Sequence, residues 1–493
     1  MNKLYESTRD ANQKRNASQA ILQGLSMEGG LFVLRDMDEC RLDIESLLHQ
    51  DYQTIAVETM KPYLTDFSEE EVLGCVKEAY TGKFASEEIT PLVELSDAYV
   101  LELFRGPTSA FKDVGLSLLP QLIKTSLVKT NVKEDILILT ATSGDTGKAA
   151  LEGFKDVNRT GIMVFYPHHG VSAVQQRQMQ TQEGKNTKVC AVNGNFDDCQ
   201  SGIKRLFVDD EFKKKIKDVG FTLSSANSIN IGRLIPQMVY YVYAYVKLVE
   251  QGKIALGDLV DFCVPTGNFG NILAGYYAKM AGLPIRKLIC ASNINNVLYD
   301  FIQTGIYDKR RDFLKTISPS MDILISSNLE RLLYYLSDKD NAYVADLMKQ
   351  VSENGYYEIS STLKKKMQET FVAGYADDEE TKATIKAVYE KEHYLLDTHT
   401  AVAYKVMKER KDDTPCIVLA TASPYKFTQS VYEALSGQTS EDEFALMDAL
   451  ENLSATHAPS NLSDLANKPI LHEDVIEIDD FPTYVLKKAK ELK

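Results

Sequence analysis

Lys112 lies in the stretch Gly106-Pro107-Thr108-Ser109-Ala110-Phe111-Lys112-Asp113, just after a turn and beside an aromatic ring. A lysine in apolar surroundings can lose its proton near neutral pH and act as a nucleophile. That is the requirement for Schiff-base chemistry, and pyridoxal phosphate is the commonest aldehyde partner. A lone Phe-Lys pair also describes an ordinary solvated surface lysine. The chemical reading therefore needs the rest of a cofactor site.

Three further loops supply candidates. Thr140-Ala141-Thr142-Ser143-Gly144-Asp145-Thr146-Gly147-Lys148 follows an apolar strand pattern and opens into a helix pattern. Hydroxyl groups at a helix N-terminus, with its free N–H groups, suit an anion. The stretch departs from a nucleotide P-loop, which needs Gly where Thr142 stands and Ser or Thr where Ala149 stands. Simple capping by Ser143 or Asp145 is the structural alternative. Val264-Pro265-Thr266-Gly267-Asn268-Phe269-Gly270-Asn271-Ile272 also joins a strand pattern to a helix pattern. Its glycines let backbone amides approach a phosphate closely. No Gly-x-Gly-x-x-Gly is present, so a dinucleotide site is not indicated. Leu419-Ala420-Thr421-Ala422-Ser423-Pro424-Tyr425-Lys426-Phe427 ends a late strand and offers hydroxyls at its carboxyl end.

The elements that must position these loops alternate in type. Short β-branched runs recur at Val100–Phe104, Ile136–Thr140, Ile162–Tyr166, Lys188–Val192, Leu259–Val264, Lys287–Ser292 and Cys416–Thr421. Amphipathic stretches such as Gln200–Phe207 and Ile229–Val249 separate them. The pattern predicts an α/β protein with mainly parallel sheets flanked by helices. Residues 1–95 read as a mostly helical N-terminal segment. Residues 96–250 read as a domain holding Lys112 and the hydroxyl loop. Residues 251–493 read as a second α/β domain, with a helical insertion at about 306–395.

The chain has 493 residues and a net charge of −15, which argues against a nucleic-acid surface. Its seven cysteines form no Cys-x-x-Cys pair, so no metal-binding motif is visible. Buried reduced thiols suit a cytoplasmic protein. No apolar signal core opens the chain, and no apolar run approaches a membrane span. Met238–Val249, the densest apolar run, reads as a buried helix.

Taken together, these loops resemble those of the threonine synthase family. The likeness is to its longer branch, within the fold of the tryptophan synthase β subunit: two open, mainly parallel sheets. It covers nearly the whole chain. Tyr5-Glu6-Ser7-Thr8-Arg9 and Gly24–Leu31 resemble the family's opening motifs. Asn193–Gln200 and Asn227–Asn230 resemble its middle. Ser318-Pro319-Ser320-Met321-Asp322 and Asp397-Thr398-His399-Thr400 resemble its later part. Three positions depart from it: Arg105 where His is common, Asp10 where Gly is usual, and Ser423 where His is frequent.

The resemblance implies pyridoxal phosphate as cofactor, carried by Lys112 as a Schiff base. It implies that Gly267, Asn268, Phe269, Gly270 and Asn271 hold the cofactor phosphate and that Thr421 meets the pyridine nitrogen. Thr142, Ser143, Asp145 and Thr146 would hold the substrate carboxylate. The implied reaction is O-phospho-L-homoserine plus water to L-threonine plus phosphate, by γ-elimination and β-addition of water, the last step of threonine biosynthesis. The implied protein is a cytoplasmic monomer or homodimer without metal, nucleic-acid or membrane partners. Arg105, Lys148, His168 and Arg233 are candidates for the substrate phosphate. An ionised Asp145 would repel a substrate carboxylate, so it is expected to be protonated or paired with a lysine such as Lys148. A dehydratase of the same fold and a non-catalytic, cofactor-bearing relative are the alternatives.

Overall fold

The computed structural model describes residues 3–142, 144–410 and 412–493. Two open sheets dominate. The larger runs Phe371–Tyr375, Ile285–Ser292, Val260–Pro265, Cys416–Ala420, Tyr99–Glu102 and Leu92–Glu94. All its neighbours are parallel except the last pair. The smaller runs Val475–Ile476, Thr187–Val192, Thr160–Pro167, Asp135–Ala141 and Phe221–Ser224, entirely parallel. Parallel strands need crossover helices, which cover both faces. Accordingly every residue of Thr160–Pro167 and Val260–Pro265 is buried.

All seven expected strands form, with ends shifted by at most a few residues. Ile229–Val249 divides into Ile231–Leu234 and Pro236–Glu250, the second starting at a proline suited to a first helical turn. Met238 to Val246 are all buried in that helix. The insertion is mainly helical, but it also contributes the strand Phe371–Tyr375 to the edge of the larger sheet.

The expected boundary between 96–250 and 251–493 does not follow the sheets. Tyr99–Glu102 pairs with Cys416–Ala420 in the larger sheet. Val475–Ile476 pairs with Thr187–Val192 in the smaller. Parallel neighbours are joined by long crossovers, so order along the chain is not order in space. The N-terminal segment is not separate either. Its helices share one apolar core with the helices Lys112–Lys129 and Pro236–Glu250.

Candidate active site

Lys112 is the first residue of the helix Lys112–Lys129. Asp113 shapes the turn before it, accepting from the Thr108 amide at 2.8 Å and from the Thr108 hydroxyl. A Cβ at position 106 would lie 2.5 Å from the Asp113 Cβ, so this turn requires glycine. The turn is stitched to the late strand. The Phe111 amide donates to the Thr421 carbonyl at 2.8 Å, and the Ser423 amide to the Ser109 carbonyl at 3.0 Å. Thr421 is thereby held against the turn that leads into Lys112, and is buried.

The Lys112 side chain is only 10% exposed. Its Nζ donates to Ser320 Oγ at 3.2 Å and lies 3.7 Å from Asp145 Oδ2. Burial lowers its pKa to about 8; Asp145 opposes that shift, while Arg233 and Lys426 add to it. A sizeable neutral fraction near physiological pH follows.

Asp145 begins the helix Asp145–Phe154. Its carboxylate pairs with Lys426 Nζ at 2.7 Å and accepts from Gln175 Nε2 at 3.1 Å. Burial alone would raise its pKa, but Lys426 and Lys112 outweigh burial and hold it well below the usual carboxylate range. The expected partner Lys148 is corrected to Lys426. Lys148 instead pairs with Glu152 at 3.3 Å, four residues along the same helix. The Lys426 side chain is fully buried, and its Nζ also donates to the Thr108 carbonyl at 3.0 Å.

In the hydroxyl loop, Thr142 Oγ1 accepts from the Gly144 and Gly147 amides, both at 2.9 Å. The hydroxyl thus organises the helix start itself. Thr146 is half-buried in the first helical turn. Ser143 lies outside the described residues.

The nest loop connects Val260–Pro265 to the helix Gly270–Met280. Phe269 adopts a left-handed backbone, φ 63°, to turn the chain into that helix. Asn328 fastens the loop, donating from its amide and side chain to the Asn268 carbonyl at 3.1 and 3.0 Å. Neighbouring Glu330 holds Arg9 of the opening motif through two bonds, 2.8 and 2.7 Å. Asn271 Oδ1 accepts from the Tyr240 and Tyr241 hydroxyls at 2.6 and 3.0 Å. Its Nδ2 is buried and has no partner among the described residues. A helix N-terminus with an unsatisfied buried donor fits a phosphate group.

Of the phosphate-clamp candidates, Arg105 pairs with Glu102, and His168 Nδ1 is 3.3 Å from Asn193 Oδ1. Arg233 is buried and makes no ion pair among the described residues; Nη1 donates to the Ala226 carbonyl at 3.0 Å. Burial lowers its pKa to about 10, which leaves it charged at neutral pH. Ser320, His399 and Lys426 stand in the quoted motifs, yet no local signal marked them as neighbours of Lys112. The other two departures stay within local turns: Asp10 accepts from Asn12, and Ser423 Oγ from the Tyr425 amide.

A buried lysine of lowered basicity, a helix start with an unsatisfied buried donor and open, mainly parallel sheets suit a pyridoxal-phosphate-dependent enzyme. The family model for pyridoxal-phosphate dependent enzymes matches residues 84–420. Models for the threonine synthase N terminus and C-terminal region match 4–80 and 400–476. Threonine synthase from Pseudomonas aeruginosa is 38% identical, over 91% of this chain and 93% of its own. Threonine synthase-like 1 from Macaca fascicularis is 41% identical over 91% of this chain, which spans only 63% of that relative's length. The structure of pyridoxal-phosphate-bound threonine synthase from Brucella melitensis has a TM-score of 0.88 at 37% identity, covering 99% of each chain. The chain belongs to the threonine synthase family.

Proposed function

We propose that this chain converts O-phospho-L-homoserine and water to L-threonine and phosphate. What carries the reading is a single arrangement: one buried amine, Lys112, with two separate anion-binding features around it. The first is the nest Gly267–Asn271, which suits the cofactor phosphate. The second is Arg233, a buried cation without an acidic partner among the described residues, which suits the substrate phosphate.

Pyridoxal phosphate, when bound, supplies an aldehyde that captures amines and a ring that withdraws electrons from the α and β carbons of a bound amino acid. Lys112 is the amine that would hold it, and Thr421 would meet the pyridine nitrogen. With the substrate amine in its place, the neutral Lys112 amine would take the proton from Cα. A second proton leaves Cβ as phosphate departs from Cγ. Water then adds at Cβ, and protons return to Cγ and Cα, so the atoms of threonine and phosphate balance those of substrate and water. The Asp145 and Thr146 amides, at the start of their helix, face the substrate carboxylate in this reading. Lys426 neutralises Asp145 there, which removes the repulsion an unpaired carboxylate would exert.

No described helix is long and apolar enough to cross a membrane. Seven buried free cysteines suit a reducing, cytoplasmic setting, and the protein acts as a monomer or homodimer in this reading. The test is product analysis with purified protein and phosphohomoserine. Threonine and phosphate should appear in equal amounts. Ammonia and a keto acid would indicate a dehydratase instead, and a normal cofactor spectrum without turnover would indicate a binding protein.

A further inference from the structure

Ser320 joins parts of the site that come from distant segments. It lies in the short turn Pro319–Met321 of the insertion. That turn is anchored from behind by Asp322, which accepts from Asn293 Nδ2 at 2.7 Å, Thr316 Oγ1 at 2.8 Å and Asn295 Nδ2 at 3.0 Å. The Ser320 carbonyl lies 2.6 Å from where a Cβ at position 267 would stand, so the turn lies directly against the nest. Its hydroxyl accepts from Lys112 Nζ.

A second contact fixes this residue. The Ser320 amide donates to His399 Nε2 at 3.1 Å, and His399 Nδ1 lies 3.0 Å from Asp397 Oδ1. A backbone N–H can only donate, so Nε2 carries a lone pair and the ring proton sits on Nδ1, facing Asp397. Asp397 also caps the helix Thr398–Lys408 through the amides of His399 and Thr400. Turning the ring would therefore disturb a helix start. Both side chains are buried, and the ring packs edgewise on Phe427.

We propose that Asp397 and His399 are positioning residues that hold Ser320, and that the Ser320 hydroxyl orients the Lys112 amine whenever it is not bonded to the cofactor. The proposal rests on the reading of Lys112 as the cofactor lysine. Ser320 accepts one of the ammonium hydrogens at 3.2 Å, while Asp145 attracts the charge from 3.7 Å. Among the described residues, the charged groups that act most on Lys112 are Asp145, Arg233 and Lys426, with His399 close to Asp145 and Asp113 next in its own helix. All of these remain when only the Ser320 hydroxyl is removed.

The test uses the full chain freed of cofactor. The rate at which added pyridoxal phosphate gives the protein-bound visible absorption band is followed against pH. The parent rate should rise with a midpoint of about 8, as Lys112 becomes neutral. Ser320→Ala removes an acceptor that favours the ammonium form, so its midpoint should fall by about one pH unit. Capture at high pH should also slow by about tenfold, because the amine is no longer oriented. His399→Leu should shift the midpoint in the same direction, and the double variant should shift no further than Ser320→Ala alone. Parental behaviour in Ser320→Ala, or full additivity in the double variant, overturns the proposal. Should His399→Leu not fold, Ser320→Ala decides alone, since it removes one oxygen from a half-buried turn. A parent that never develops the band refutes the cofactor reading instead, which separates the two failures.

Discussion

Two lysines share one buried carboxylate at the centre of this site. Asp145 sits 2.7 Å from Lys426 and 3.7 Å from Lys112, and all three side chains are at most 10% exposed. Lys426 depresses the proton affinity of Lys112 and takes part of the Asp145 charge away from it. Lys426→Met would leave Asp145 to Lys112 alone and raise the proton affinity of Lys112. In the proposed reading Lys112 works as the neutral amine only after substrate has displaced it, so the acid limb of kcat should then move to higher pH. Breaking a buried pair from one side should also cost about 3 kcal/mol of stability, read by urea unfolding. An unchanged pH profile would remove Lys426 from the chemistry. Lys112→Ala should abolish the visible cofactor band and lower turnover by more than about 10⁴-fold, because the proposed reading gives this lysine both cofactor attachment and proton transfer. A band that persisted would mean that another amine carries the cofactor.

Turns, more than the helices and strands they join, set the site's tolerances. The Gly267 backbone passes so close to the Ser320 carbonyl that an added Cβ would lie 2.6 Å away. Gly267→Ala must therefore push the nest and the Ser320 turn apart. Cofactor should dissociate about tenfold or more faster, measured by loss of the visible band on dilution. The turn before Lys112 carries a different signature. Burial raises Asp113 to about 6, above its ordinary 3.8. Between those values the folded state binds more protons than the unfolded chain, so this group's contribution falls as pH rises from about 4 to about 6. Asp113→Asn should flatten that part of the stability profile, measured as the urea midpoint against pH. An identical slope in both proteins would show that the carboxyl does not titrate in that window.

The C-terminal segment ties the whole molecule together. Asn461 clasps the Lys112 turn, donating to the Pro107 carbonyl at 2.7 Å and accepting from Ser109 Oγ at 3.0 Å. Glu443 accepts from the Ala173 and Val174 amides at the start of the helix Ala173–Gln180. That helix presents Gln175 to Asp145. Val475–Ile476 then completes the edge of the smaller sheet. One stretch of chain thus touches supports of both Lys112 and Asp145, which come from different sheets. Asn461→Ala should cost about 1–2 kcal/mol of stability and speed cofactor loss, with little change in secondary structure. Circular dichroism and the visible band, followed together during unfolding, check this. A variant as stable and as retentive as the parent would show that the Asn461 clasp does not hold the Lys112 turn.

The sequence by itself determined the seven expected strands, the buried helix at Met238–Val249, and the turns at Lys112, Gly267–Asn271 and Thr421. Each of these depends on local rules: β-branched runs, a helix start, or a glycine needed where atoms crowd. It did not determine which strands share a sheet, so the boundary at residue 250 cut across both sheets. Nor did it mark Lys426 as the partner of Asp145, or link Ser320 and His399 to Lys112. Those pairings join residues far apart along the chain; Lys112 and Ser320 are 208 positions apart. A lysine or serine reads alike in a buried site and on a surface. Only the packing of crossover helices against two parallel sheets decides which of them meet, because side-chain burial and contact across such distances are properties of the folded chain and not of any local stretch.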